Sequence, residues 1–162
     1  KGYRALALDV RGHGESMQHN GKTISHQSFS STQWNAATKD IAAAQDYLSA
    51  KKVFVVGASI GANLAAVYAG RNPERVQGLV LLSPGLDYKG VQPKTELESF
   101  EGPVLLMASE EDAYSFDSSE ELDSAAAGPH EFVQLKNVGH GTSMFSANPD
   151  LMKTVLEWLE KN

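Results

Sequence analysis

Short apolar runs alternate along the chain with longer stretches of helical periodicity. The runs with the character of strands are residues 3–10, 53–56, 76–82, 104–108 and 131–138. Between them, apolar side chains recur at intervals of three and four, as in the stretch from Trp34 to Leu48. Continuously apolar strands separated by helices are typical of a parallel sheet covered on both faces. The pattern predicts one α/β domain over residues 1–162, with a mostly parallel sheet of about five strands and helices on both faces.

Composition and charge limit the kinds of molecule that this protein is expected to bind. The 162 residues carry a formal net charge of −6, and the only adjacent basic pair is Lys51-Lys52. Without a basic patch, nucleic acid and anionic membrane surfaces are not expected partners. No apolar run approaches the roughly 20 residues that span a bilayer. The absence of cysteine excludes disulfides and thiolate metal sites, and it leaves the cellular compartment undecided.

One apolar run ends at a serine between two glycines. The stretch VFVVGASIGA places Ser59 directly after the run at 53–56 and directly before a helical segment. A tight turn from strand to helix crowds the backbone, and glycine at positions 57 and 61 removes side chains that would clash there. Such a turn lifts a serine hydroxyl clear of the sheet. Ser59 is therefore a candidate nucleophile.

The same stretch has a second interpretation, as a degenerate phosphate-binding turn of a dinucleotide fold. That fingerprint also follows a strand and opens a helix. In this chain, Ser59 replaces the middle glycine of the fingerprint, and Ala62 replaces the last one. It also requires an acidic residue about 20 positions further on, where this chain has the apolar run LVLLS and then Asp87. A nucleotide site remains an alternative at this point, although the sequence supports it poorly.

Polar residues that follow later strands supply the partners that a nucleophilic serine needs. Asp112 follows the run at 104–108, and His140 follows the last run between Gly139 and Gly141. Ligands of open parallel sheets bind beyond the carboxyl ends of the strands, where these residues would meet. Imidazole can accept the serine proton, and a carboxylate can orient the imidazole. The chain order Ser, Asp, His thus favours acyl-transfer chemistry.

The remaining histidines and acids have simpler interpretations. Three histidines are expected at the surface, namely His19, His26 and His130. His13 is expected to belong to a structural turn. The acids around Asp112, including Glu110 and Glu111, are expected to be solvated, since their spacing does not fit a calcium loop. Ser118 is expected to cap the helix that contains these later acids. No metal and no cofactor are implied, because a Ser-His-Asp set needs none.

Four motifs together resemble the α/β-hydrolase superfamily, in particular its small serine esterases and dienelactone-hydrolase-like members. They are ALDVRGHGES, VVGASIGANLA, PVLLMASEED and NVGHG, and they cover nearly the whole chain. The resemblance implies Ser59 as nucleophile, Asp112 as acid and His140 as base, with the backbone amide of Ile60 as one oxyanion-hole donor. The acid loop departs from the family pattern at Ser109 and Ala113, where glycine and often proline are usual.

The resemblance also implies an N-terminally truncated α/β-hydrolase fold. Residues 3–10 correspond to the fourth strand of the family, so three earlier strands and the loop that normally supplies the second oxyanion amide are expected to be missing. Residues 3–10 would then either pair with residues 53–56 in a sequential five-stranded sheet or leave a gap, and an open sheet edge at such a gap would favour self-association. The short connection after residue 82 leaves no room for a large lid, so a small ester substrate is expected. Acyl transfer to another acceptor, thioester cleavage and a non-catalytic binding module remain alternatives.

Overall fold

The computed structural model describes residues 2–162 and contains a central four-stranded parallel sheet. Its strands are β3 (Val53–Ala58), β4 (Val76–Leu82), β5 (Val104–Ser109) and β6 (His130–Leu135), hydrogen-bonded in that order. A separate antiparallel hairpin consists of β1 (Gln18–His19) and β2 (Lys22–Thr23). The helices are α1 (Ser31–Ala36), α2 (Thr38–Leu48), α3 (Ile60–Arg71), α4 (Lys94–Leu97), α5 (Ala113–Ala125), α6 (Ser143–Ala147) and α7 (Leu151–Lys161), with 3₁₀ turns at His26–Ser28 and Pro73–Arg75.

Helices cover both faces of the sheet, as predicted. Successive side chains of a strand point to opposite faces. Leu79 and Leu81 of β4 therefore pack with α3, α4 and α5 in one apolar cluster. Val80 and Leu82 of the same strand pack with α6 and α7 in another. Burial on both faces explains why these strands read as unbroken apolar runs.

The predicted first strand is wrong. Residues 2–10 form no strand, and the large apolar side chains of Tyr3, Leu6 and Leu8 are exposed. A strand exists only where a neighbour pairs with its backbone, and β3 pairs with β4 alone. A cleft of about 880 Å³ lies between residues 3–10 and β3, and Val56 on its wall is half exposed. The sheet thus has four strands rather than five, and self-association through the free edge of β3 stays a prediction.

Two helix boundaries also differ from the pattern. The helix expected over residues 34–48 begins earlier and is interrupted at Ala37, between α1 and α2. The helix expected to begin at Ser118 begins at Ala113, and Asp112 occupies its N-cap position. Ser118 is instead buried in the middle of α5. The helical turn before Ser118 packs on the sheet, where the ring of Phe116 lies 5.4 Å from that of Phe132 of β6 between centroids.

Among residues 2–162, no helix is long and apolar enough to cross a membrane.

Candidate active site

Ser59 lies in a strained turn between β3 and α3. Its backbone adopts φ 54° and ψ −125°, a conformation that side-chain-bearing residues rarely take. A Cβ atom on Gly57 would lie 2.3 Å from the carbonyl oxygen of Gly61, so the chain can make this turn only with glycine at 57. A Cβ on Gly61 would meet nothing within 4 Å. The prediction that glycine is needed to avoid a clash is therefore confirmed at position 57 and wrong at position 61.

The hydroxyl of Ser59 is not used to cap the helix that it precedes. Within the described chain, its side chain makes no capping hydrogen bond to α3. The turn is held instead by its backbone, since the Ser59 amide donates to the Leu82 carbonyl at 2.8 Å and its carbonyl accepts from Ala62. The strain is thus fixed by the sheet and the helix, which leaves the hydroxyl available for chemistry.

Asp112 and His140 are directly paired. The His140 Nδ1 atom lies 2.6 Å from Asp112 Oδ2, with the histidine side chain 44% exposed and the carboxylate 20% exposed. An ionised carboxylate only accepts, so this contact places the proton of a neutral imidazole on Nδ1. The Nε2 atom is then left with a lone pair. His140 is consequently in the tautomer that a general base requires.

Two hydrogen-bonded ties hold the loop that carries His140. The hydroxyl of buried Ser83, at the end of β4, accepts from the Gly141 amide at 2.9 Å. On the other side of the histidine, Glu111 accepts from the amides of Asn137 at 2.7 Å and Gly139 at 2.8 Å. Gly139 and Gly141 both have positive φ, a backbone conformation that favours glycine. The imidazole therefore stands on a loop anchored at both ends.

Glu111 connects the loop after β5 to the loop that carries His140, a contact that the sequence did not reveal. Its carboxylate also accepts the hydroxyl of Ser109 at 2.6 Å. Hydrogen bonds from Ser109 first and from the Gly139 amide next lower the pKa of Glu111 to about 2. The side chain is exposed, as expected, but three donors converge on its carboxylate, which the sequence did not indicate. Glu110, in contrast, forms only a surface ion pair with Lys136 at 3.1 Å.

A tyrosine and a buried serine complete the polar surroundings of the histidine. The Tyr88 hydroxyl lies 2.8 Å from Ser115 Oγ, which in turn lies 3.4 Å from His140 Nδ1. The rings of Tyr88 and His140 meet edge to face with centroids 6.4 Å apart. Burial raises the pKa of Tyr88 above its ordinary value, the hydrogen bond with Ser115 acts to lower it, and the nearby charge of Asp112 raises it again. Neither Tyr88 nor Ser115 carried a recognisable sequence signal.

Ile60 begins α3 and is half buried beside the cluster of Trp34 and Leu64. The first amides of a helix have no intrahelical acceptor and lie at the positive end of its dipole. The Ile60 amide, next to Ser59, is thus placed where an anionic oxygen would be stabilised. Its role as an oxyanion donor stays a prediction.

Ser59, Asp112 and His140 lie at the carboxyl ends of three strands of one sheet, as the chain order predicted. Over residues 2–162, the side-chain nitrogen Nδ1 of His140 lies within hydrogen-bonding distance of Asp112 and Ser115, and no hydrogen bond joins the imidazole to Ser59. Nucleophile and base are often more widely separated in the absence of substrate. The roles of the three residues therefore remain predictions that this arrangement supports.

The other histidines lie elsewhere. His13 and His26 stack with ring centroids 4.0 Å apart beside Trp34, so His26 is half buried and its predicted surface position is wrong. The structure places His19 and His130 at the surface, as expected.

A family model described as the alpha/beta hydrolase fold matches residues 1–98 of the chain. The chain belongs to the alpha/beta hydrolase fold family. The matched region includes Ser59 and the turn around it but ends before Asp112 and His140. No curated protein sequence matches the chain.

Solved structures agree with this fold over nearly the whole chain. A serine hydrolase from Cycloclasticus zankles, a bacterium that degrades polyaromatic hydrocarbons, has a TM-score of 0.75 at 15% identity, covering 95% of this chain and 79% of that one. The enzyme Est1E of Butyrivibrio proteoclasticus, solved with ferulic acid, has a TM-score of 0.72 at 16% identity, covering 94% and 74%. A dienelactone hydrolase from Anabaena variabilis has a TM-score of 0.57 at 22% identity, covering 81% and 56%. At these identities the likeness concerns the fold alone.

Proposed function

We propose that this protein is a serine hydrolase that cleaves small carboxylic esters through an acyl-enzyme. The observation that carries the proposal is the strained turn at Ser59, joined at the same sheet edge to a His140–Asp112 pair in the general-base tautomer. Within the described chain, the Ser59 hydroxyl makes no capping hydrogen bond to α3 and is left available for chemistry. The paired histidine supplies the base that a serine hydroxyl lacks at neutral pH.

In the proposed reaction, Ser59 Oγ attacks the ester carbonyl while His140 Nε2 takes its proton. The imidazolium then protonates the departing alcohol, and Asp112 stabilises the charged ring throughout. Water repeats the sequence on the acyl-enzyme and releases the acid. The Ile60 amide donates to the carbonyl oxygen as negative charge develops on it.

The substrate is proposed to be small. The connection over residues 83–103 contains only α4, a helix of four residues. Such a connection offers little apolar surface to a long acyl chain, whose burial would yield roughly 0.8 kcal/mol per methylene. Among the structural neighbours, the enzyme from Butyrivibrio proteoclasticus was solved with ferulic acid bound, and another neighbour is named as a lactone-degrading enzyme. Both names are compatible with small carboxylic substrates for this chain.

Hydrolysis of p-nitrophenyl butyrate by the parental chain and by Ser59→Ala tests the proposal. Loss of the nucleophile should lower turnover by up to about 10⁶-fold. Ser124→Ala is a matched control, because the exposed Ser124 hydroxyl donates to the Glu120 carbonyl oxygen at 2.9 Å near the C-terminal end of α5, at the opposite end of that helix from Asp112. An unchanged rate in Ser59→Ala would contradict the assignment. Adding an alcohol or amine acceptor would divert the acyl group if the protein were a transferase.

A further inference from the structure

Three consecutive backbone amides in the loop after β6 all donate to the loop after β5. The Asn137 amide donates to Glu111 Oε2 at 2.7 Å, and the Gly139 amide donates to Glu111 Oε1 at 2.8 Å. Between them, the Val138 amide donates to the hydroxyl oxygen of Ser109 at 3.3 Å. Each amide of this run thus has an acceptor in the loop after β5.

The backbone conformation of the donor loop brings these amides to one side. Asn137 and Gly139 have positive φ, at 55° and 78°. Residues with positive φ can turn successive N–H groups toward one side, and such concave arrangements bind anions. The anion bound here is the carboxylate of Glu111, from the same chain. Hydrogen bonds from Ser109 and from the Gly139 amide lower its pKa to about 2, so the carboxylate stays ionised at neutral pH.

Ser109 couples this carboxylate to the middle amide of the run. Its hydroxyl donates to Glu111 Oε2 at 2.6 Å, while its oxygen accepts from the Val138 amide. Ser109 is fully buried at the end of β5, so the sheet fixes its position. Hydrogen bonds arranged in series polarise one another and can contribute more than their separate sum. An alanine at this position would form neither bond.

The loop after β5 also holds the candidate acid. Asp112 accepts from the ring of His140, and its neighbour Glu111 binds the amide of Gly139, the residue immediately before that histidine. Two adjacent carboxylates therefore bind one histidine, the first through its ring and the second through the backbone that carries it. A ring held by Asp112 alone could still pivot about that single bond.

We infer that Ser109 and Glu111 form a positioning unit, which holds the imidazole of His140 where it can accept the proton of Ser59. This inference rests on the proposed function. Neither member of the unit contacts the reacting atoms. Because His140 moves a proton in acylation and in deacylation, the positioning unit should affect both steps by the same factor. Since both steps change together, KM should stay nearly constant while kcat falls.

The geometry predicts that glutamine cannot replace the carboxylate. A carboxylate presents acceptors on both oxygens, whereas the amide of glutamine presents one acceptor and one donor. Glu111→Gln therefore directs an NH₂ group at the amide of either Asn137 or Gly139, and this contact between two donors displaces the loop. Glu111→Ala leaves an exposed space in which water can accept from the same amides. Glutamine should accordingly reduce activity at least as much as alanine.

The test measures hydrolysis of p-nitrophenyl butyrate by the parental chain, Glu111→Gln, Glu111→Ala and the matched control Glu110→Gln, whose carboxylate pairs with Lys136 at the surface. Titration of Ser59 with a fluorophosphonate counts the functional sites and so separates lost folding from lost catalysis. Per titrated site, kcat should fall roughly 10-fold in both Glu111 variants, the order of magnitude for one hydrogen bond. The rate of fluorophosphonate labelling should fall by a similar factor, and the control should match the parent.

Ser109→Ala and its combination with Glu111→Gln measure the coupling within the positioning unit. If the two residues act together, the double variant should lose little more kcat than Glu111→Gln alone. Glu111 is exposed, so its single variants decide the test even where the buried Ser109→Ala folds poorly.

Three results would overturn the inference and leave the proposed function standing. They are full kcat per titrated site in Glu111→Gln, a loss confined to KM, and losses that multiply in the double variant. Failure of the fluorophosphonate to label Ser59 in the parental chain would instead overturn the proposed function, and this inference with it.

Discussion

Replacing Asp112 by asparagine should convert His140 from a base into a group that cannot accept the serine proton. The carboxylate accepts from His140 Nδ1 at 2.6 Å, a short bond to an ionised group that is only 20% exposed. An asparagine amide in its place can present a donor to Nδ1, which moves the ring proton to Nε2. The imidazole nitrogen facing Ser59 would then be blocked.

The size of the effect depends on what else can accept the Nδ1 proton. In serine proteases the same substitution lowers kcat by about 10⁴ through the wrong tautomer. Here Ser115 Oγ lies 3.4 Å from Nδ1 and offers a weak substitute acceptor. We therefore expect a loss of about 10³-fold in kcat for Asp112→Asn, approaching about 10⁴-fold when it is combined with Ser115→Ala.

Steady-state hydrolysis of p-nitrophenyl butyrate across roughly pH 5 to 8, the range in which histidine changes charge, measures the effect. Glu110→Gln is the matched control, since this carboxylate only pairs with Lys136 at the surface. Glu111→Gln should fall between the two, because it loosens the loop that carries His140. A larger loss at Glu110 or Glu111 than at Asp112 would refute the assignment of the acid.

Other properties of the chain lead to further expectations. The pKa of Glu111 is lowered from 4.5 to about 2. The ionised carboxylate therefore stabilises the fold fully above pH 4.5, and this stabilisation is lost as the pH falls toward about 2. In urea unfolding, the free energy of unfolding should be lower for Glu111→Gln than for the parent, and this difference should shrink as the pH falls through this range. A difference that does not change with pH would contradict a stabilising role of the ionised Glu111 carboxylate. The value of kcat/KM should be higher for butyrate esters than for long-chain esters. A series of p-nitrophenyl esters in which kcat/KM rises with acyl length would contradict the proposal of a small substrate. The free edge of β3 should favour self-association, which Val56→Lys should weaken in sedimentation velocity while Met152→Lys, on α7, should not. A concentration-independent monomer would contradict this expectation.

The sequence predicted those parts of the fold that depend on local pattern. The two central strands, β4 and β5, are apolar runs buried on both faces, so their positions could be predicted without knowing their partners. The turn at Ser59 could also be predicted, because position 57 lies so close to the backbone of Gly61 that it requires a glycine. Asp112 and His140 could be identified because polar residues just beyond buried strands converge in a parallel sheet.

What the sequence could not predict depends on contacts between distant residues. Residues 3–10 have the composition of a strand, but a strand requires a neighbouring backbone, and β3 pairs only with β4. Glu111 acquires its importance from amides 26 and 28 positions away, and no local pattern marks it. Tyr88 likewise meets Ser115 across 27 positions, through a loop braced by Asn63. Hydrogen bonds of this kind become visible only in three dimensions.

The most direct test of the central claim is to identify the atom that becomes acylated. The chain should be treated with a fluorophosphonate, and the modified peptide should be located by mass spectrometry, with and without prior incubation with p-nitrophenyl butyrate. One adduct on Ser59, formed more slowly in Asp112→Asn and in the presence of the ester, is the expected result. Labelling at another serine, or undiminished ester hydrolysis by Ser59→Ala, would contradict the account.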